Sequence, residues 1–196
     1  MTLVSVPDLI AGARAGKLVS FPTDTVPALA ARPDRADLIF AAKQRSEDKP
    51  LILMAATAAD LWPYVSGTPE MLAVWQKVTA NCWPGALTLV LPASSAVPPV
   101  VNPQTPDTIG IRVPNHTISR EILAQTGPLA TTSANHSGEP PLTVMAMIDG
   151  KFPEVLVYQG EIDSPASGLP STVAKWIGNG WDILRQGAVD KQKLER

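Results

Sequence analysis

Hydrophobic and polar positions along the chain change period many times, each change marking a short element. From Pro7 to Ala15 the apolar residues Leu9, Ile10 and Ala13 share one helical face, and Gly16 supplies a C-terminal stop. Leu18-Val19-Ser20-Phe21 reads as a strand, broken by Pro22. The span from Asp34 to Ala42 predicts the clearest helix, with Asp34 as its cap and Leu38, Ile39 and Ala42 in phase. Beyond Pro50 the apolar run Leu51-Ile52-Leu53-Met54 predicts a buried strand. Met71, Leu72, Trp75 and Val78 place a helix between Pro69 and Ala80. Strands are expected at Ala86 to Leu91, Ile109 to Val113 and Leu129 to Thr132, with a helix from His116 to Gln125. Thr172 to Ile177 and Trp181 to Leu184 flank Gly178-Asn179-Gly180, which signals a hairpin. Helices and strands thus interleave, and an α/β domain with a mixed, twisted sheet fits best.

The 196 residues predict one domain spanning 1–196. With 45% apolar and 17% charged residues, the chain can bury a core and is not a disordered polymer. The N-terminal residues lack a secretory pattern, no apolar run has the length of a membrane span, and a cytoplasmic protein is expected. Cys82 is the one cysteine, so there is no internal disulfide. A His/Cys metal cluster has no raw material, since the histidines number two, His116 and His136. The 16 basic and 18 acidic residues give a net charge of −2, so nucleic-acid contact would need a local basic patch. The 20 prolines are scattered and punctuate elements without forming a linker.

Neither a G-x-x-x-x-G-K-[ST] loop, a G-x-G-x-x-G fingerprint nor a G-x-S-x-G elbow is present. What remains is chemistry done by positioning and electrostatics, with phosphoryl or nucleotidyl transfer leading. Four polar segments lie beside strand ends, where α/β proteins build ligand sites. Pro22-Thr23-Asp24-Thr25 is either a self-capping turn or a ligand loop. Lys43, Arg45 and Lys49 either answer a helix C-terminal dipole or gather on a triphosphate. Thr131 to Gly138 either satisfies its own backbone or donates to phosphate, through groups such as Ser133 and Asn135. Trp83-Pro84-Gly85 makes a turn, and Thr88 opens the following strand. Arg112 stands among apolar residues, either at a sheet edge or aimed at a carboxylate. Arg185 ends the last strand, either solvated or reaching into a shared pocket.

Taken in order, these segments resemble the YrdC family. The matches are Pro22-Thr23-Asp24-Thr25, Lys43-x-Arg45, Trp83-Pro84-Gly85 with Thr88, Arg112-x-Pro114, Ser133-x-Asn135, and Ser171-Thr172-Val173 followed by Arg185-x-Gly187. The likeness runs from about Leu3 to Gly187 and corresponds to the short, single-domain form. It implies a twisted mixed parallel/antiparallel sheet flanked by helices, with a concave basic cavity. The implied reaction is that of an L-threonylcarbamoyladenylate synthase: L-threonine, bicarbonate and ATP yield the adenylate and pyrophosphate, with Mg²⁺ on the ATP. The product would feed threonylcarbamoyl modification of a tRNA adenosine through a downstream transfer machinery.

By the same resemblance, Lys43, Arg45, Ser133 and Asn135 are the expected catalytic residues. ATP would be held by Arg45, Lys49, Thr88, Ser133, Asn135 and Arg185. L-Threonine would be held by Thr23, Lys43, Arg112 and Ser171, and no protein-held metal is expected. The chain departs from the family at Pro27 and Ala28, where an aromatic residue and glycine usually follow, and at Met54, where some relatives carry histidine. Two alternatives are a diverged YrdC-like paralogue without efficient threonylcarbamoylation and a weak double-stranded RNA or tRNA binder. A hydrogenase-maturation carbamoyl transferase has a similar domain but needs a longer, cysteine-rich chain.

Overall fold

A computed structural model describes residues 2–162 and 166–194. Ten strands form one mixed sheet: β1 (Leu3–Val4), β2 (Val19–Phe21), β3 (Ala28–Ala31), β4 (Ile52–Met54), β5 (Leu87–Pro92), β6 (Thr108–Arg112), β7 (Leu129–Ser133), β8 (Leu156–Tyr158), β9 (Thr172–Trp176) and β10 (Trp181–Arg185). Their spatial order is β1-β8-β2-β3-β7-β4-β6-β5-β9-β10. The pairs β1/β8, β8/β2, β4/β6 and β5/β9 are parallel and the others antiparallel. The helices are α1 (Val6–Arg14), α2 (Asp37–Lys43), α3 (Pro69–Cys82), α4 (Thr117–Thr126) and α5 (Met145–Lys151). Among the described residues, no helix is long and apolar enough to cross a membrane.

Local chemistry accounts for most element ends. Ser5 caps α1 by accepting from the Asp8 amide, and Thr68 does the same for α3 through Met71. The expected Asp34 cap is not found. Pro33–Arg35 is a separate 3₁₀ turn, α2 begins at Asp37, and the Asp34 carboxylate pairs with Arg32. Pro33 fixes the first turn, and an Asp one residue after it is better placed to meet the neighbouring guanidinium than to reach amides downstream. Gln44 closes α2 in the left-handed region, at φ 48°. The Arg45 amide then bonds the Phe40 carbonyl and the Gln44 amide that of Ala41, a Schellman ending that turns Arg45 off the helix axis.

The two faces of the sheet are sharply different. Leu53, Leu87, Leu89, Leu91, Ile109, Ile111 and Ala174 are fully buried on one face. The intervening Ile52, Met54, Thr88, Val90, Gly110, Arg112, Val173 and Lys175 line a cavity on the other. In β10 the pairing steps from Ile183↔Ala174 to Arg185↔Val173, so Leu184 is a bulge residue. The extra residue keeps Arg185 on the cavity side.

Candidate functional site

The cavity has a volume of about 570 Å³. Gly110 sits in its floor, where a Cβ would come within 2.5 Å of Ile52 Cγ2, so glycine keeps the floor open. Around the floor stand Arg45, Lys49, Arg112, Lys175 and Arg185, with Asp48 as the one carboxylate among the lining residues. Thr25, Thr88, Thr132, Ser133 and Ser171 add hydroxyls, and Pro27, Ala28 and Met54 add apolar surface.

One wall is built from the end of α2 and the end of β7. Arg45 donates through Nε to the Lys49 carbonyl at 3.1 Å and through Nη2 to the Pro50 carbonyl at 3.1 Å; its Nη1 lies 3.4 Å from Thr132 Oγ1. Lys49 Nζ donates to Ser137 Oγ at 3.0 Å. Lys43, in the last turn of α2, is only 1% exposed and lies behind this wall. Its ammonium donates to the Ser133 carbonyl and, at 3.3 Å, to Asn135 Oδ1, which also accepts from Ser133 Oγ at 2.6 Å. Burial, with the neighbouring charges of Arg45 and Lys49, pushes the Lys43 pKa down to about 7.

A second wall is built from the loop between β2 and β3. Arg112 projects from the end of β6 and is 2% exposed. It donates to the Gly85 carbonyl at 3.0 Å, to Thr25 Oγ1 at 2.9 Å and to Asp24 Oδ1 at 2.5 Å. Burial draws the Arg112 pKa down while the Asp24 carboxylate opposes that shift, and the guanidinium stays charged. The third wall follows β9 and β10. Thr88 Oγ1 and Ser171 Oγ lie 2.9 Å apart, and Arg185 Nη2 donates to Ser171 Oγ at 3.2 Å and to its carbonyl at 3.0 Å. Gly187 permits this corner, because a Cβ there would meet the Pro170 carbonyl oxygen at 2.2 Å and the Thr172 nitrogen at 2.5 Å.

Of the residues expected from sequence, Arg45, Lys49, Thr88, Arg112, Ser133, Ser171 and Arg185 line one cavity. Lys43 and Asn135 support it from behind through Ser133. Thr23 is fully buried and bonds the Val26 carbonyl at 2.7 Å and the Thr25 amide at 3.1 Å, and it is Thr25 that faces the cavity. Sequence reasoning passed over Thr25 and Lys175. The signal available for Lys175 was its alternation with Val173, which lines the same cavity.

The profile of the Sua5–YciO–YrdC family, described as Telomere recombination, matches residues 12–187. A threonylcarbamoyl-AMP synthase of Bacillus subtilis is 32% identical over 195 residues, covering 93% of this chain and 53% of the relative. A threonylcarbamoyl-AMP synthase of Vibrio cholerae is 37% identical over 183 residues, covering 89% of this chain and 93% of the relative. The crystal structure of Pyrococcus abyssi Sua5 complexed with L-threonine superposes with a TM-score of 0.85 at 32% identity, over 97% of this chain and 56% of that one. The chain therefore spans about half the length of the Bacillus and Pyrococcus proteins.

Proposed function

Since the chain belongs to the Sua5–YciO–YrdC family, we propose that it joins L-threonine, bicarbonate and ATP into L-threonylcarbamoyladenylate, releasing pyrophosphate. The observation that carries this reading is the gathering of Arg45, Lys49, Ser133, Thr88, Ser171 and Arg185 around one 570 Å³ cavity. That volume falls within the roughly 300–1,000 Å³ of small-molecule sites. Names of relatives that cover most of this chain, and the threonine bound in the Pyrococcus structure, support the same substrates.

The amine of threonine and bicarbonate give a carbamate with loss of water. A carbamate oxygen then attacks the α-phosphorus of ATP, and the bond to the bridging oxygen breaks as pyrophosphate leaves. No protein nucleophile enters this sequence, so the protein's part is to align two anions and relieve charge on the departing group. Arg45 and Lys49 would face phosphate oxygens, and Ser133 would donate to the nucleotide, positioned by Asn135 and Lys43. Thr88 and Arg185 would border the nucleotide, and Ser171 would meet threonine. In this reading the five lining cations make the cavity a basic one.

The fit to Mg²⁺ follows from the donor set. Asp48 is the one lining carboxylate, and no three of His, Cys, Asp or Glu gather into a metal-holding group among the described residues. A hard cation would thus take its oxygens from phosphate and water, with at most Asp48 from the protein. Its chemistry when bound is to neutralise charge on the triphosphate.

Two observations favour a second reading, a diverged paralogue: Arg112 is already engaged by Asp24, and Pro27 and Ala28 leave an apolar wall where the resemblance implies an aromatic residue and glycine. The test mixes the protein with ATP, Mg²⁺, bicarbonate and L-threonine, omitting each in turn. Pyrophosphate release that requires all of them, with the adenylate mass in the product, is expected. ATP binding with no threonine-dependent release would establish the paralogue. The product's consumer would be a transfer machinery acting on tRNA, and any direct RNA contact would weaken steeply with salt.

A further inference from the structure

The proposed reaction uses the cations at one end of the cavity, Arg45 and Lys49, together with Arg185. It leaves Lys175 without a role. Lys175 lies on β9, paired with Val90 of β5, and its side chain lines the cavity with Val173 two residues before it. The row continues from Val90 to Gly110, Ile52 and Thr131, so Lys175 and the β7 wall are separated by four strand spacings. At about 4.8 Å each, those spacings amount to roughly 19 Å across the floor. Lys175 is therefore not part of the Arg45 and Lys49 group.

Its neighbours are one cation and one anion. Asp182 stands directly opposite on β10, yet no ion pair within the described residues joins it to Lys175. Arg185 stands opposite Val173, on the diagonal from Lys175. Diagonal neighbours of this kind are about 7–8 Å apart at the backbone, close enough for two long side chains to converge on one group. The Leu184 bulge is what puts Arg185 on this diagonal. Both side chains line the same cavity, and among the described residues neither is held in a salt bridge, so each keeps its charge for an incoming anion.

We propose that Lys175 and Arg185 form a second oxyanion subsite, which takes a phosphate or carboxylate oxygen at the end of the cavity away from Arg45. Lys175 supplies a mobile point charge and Arg185 a fixed fork, held by its bonds to the Ser171 carbonyl. The subsite rests on the cavity being the substrate site, and it does not require threonine to be the amino acid used. It gives the cavity charge at both ends, suited to a ligand, or a ligand pair, that is anionic at both ends.

The test measures equilibrium binding of sodium pyrophosphate, AMP and L-threonine, each alone, to the full chain and to Lys175→Met and Lys175→Arg. Lys175 is half-exposed and outside the core, so both variants should keep the thermal midpoint of the unsubstituted chain. Lys175→Met should weaken at least one of the three ligands by about tenfold, and Lys175→Arg should restore binding to within a few-fold. Loss confined to pyrophosphate places polyphosphate at this end, loss confined to AMP places the α-phosphate there, and loss confined to threonine places a carboxylate. Unchanged binding of all three by Lys175→Met, or no binding of any by the unsubstituted chain, overturns the subsite. Lys175-dependent binding without threonine-dependent turnover would keep the subsite and discard the proposed reaction.

Discussion

Arg112 and Asp24 meet at 2.5 Å, with side-chain exposures of 3% and 16%, and this ion pair ties the end of β6 to the loop between β2 and β3. The pairing matters because it neutralises a guanidinium that lines the cavity. Asp24→Asn would leave the guanidinium buried with no counter-charge, and breaking such a pair costs about 3 kcal/mol or more. A lowered denaturation midpoint is expected, with much of the loss recovered in Asp24→Asn/Arg112→Met. If the single variant is as stable as the unsubstituted protein, the pair is not structural. A falling threonine KM in that variant would then show Arg112 released to bind substrate.

Gln44 carries the one positive φ among the non-glycine residues described. A left-handed residue with a side chain is strained by about 1 kcal/mol, and glycine removes that strain. Gln44→Gly is expected to raise stability by up to about that amount while leaving Arg45 in place, so ATP affinity should change little. A large loss of ATP affinity with raised stability would show that a rigid helix end is needed to aim Arg45.

Lys43 is expected to make stability depend on pH, and ATP binding with it. Its folded pKa of about 7 lies below the 10.5 of a free lysine, so between those values the unfolded chain binds more protons. Stability then rises with pH through that window, and the contribution is lost as pH falls through 7. Comparing Lys43→Met with the unsubstituted protein from pH 6.5 to 9.5 should show the latter gaining stability relative to the variant. An anion arriving at the Ser133 wall raises the Lys43 pKa, so ATP binding at pH 8 should take up part of a proton. Calorimetry in buffers of different ionisation enthalpy measures this, and zero uptake would mean Lys43 does not sense the nucleotide.

Gly187 leaves room for the main chain of Pro170 to Thr172. Gly187→Ala must push that strand entry aside, because the contacts are with backbone and cannot swing away. Destabilisation of about 1–3 kcal/mol is expected, with a rise in substrate KM as Ser171 shifts from Thr88 and Arg185. Stability loss with unchanged KM would confine Gly187 to a folding role.

Elements with a strong local signature were legible in the sequence. The β9–β10 hairpin followed from its Gly-Asn-Gly centre, and the Ile177 amide does bond the Gly180 carbonyl, at 3.1 Å. β3 was not legible: Ala28-Leu29-Ala30-Ala31 is buried on both faces, so it neither alternates nor carries β-branched residues. β8 and α5 were not legible either: α5 starts after Val144 with no side-chain cap and carries Gly150, so it lacks a start signal, and β8 is three residues with no turn dipeptide beside it. In the site, motif order brought out Arg45, Ser133 and Ser171. Thr23 and Thr25 are two residues apart and chemically alike, and only the turn decides which of them faces the cavity. Lys175 alternates with Val173 in the sequence, which puts both on one face of a strand, but nothing local records that this face borders a cavity and not solvent.

The alternation of faces in β5 and β6 has a bearing on how this protein can change. Cavity-facing and core residues are interleaved at every second position, from Thr88 to Leu91 and from Ile109 to Arg112. Substrate preference can therefore drift by substitution at Thr88, Val90, Gly110 and Arg112 while Leu89, Leu91, Ile109 and Ile111 hold the scaffold constant. Insertions and deletions have no such freedom here, because a shift of one residue would exchange the two sets. Divergence among proteins built on this sheet should accumulate in a comb along these strands, with length changes confined to the loops.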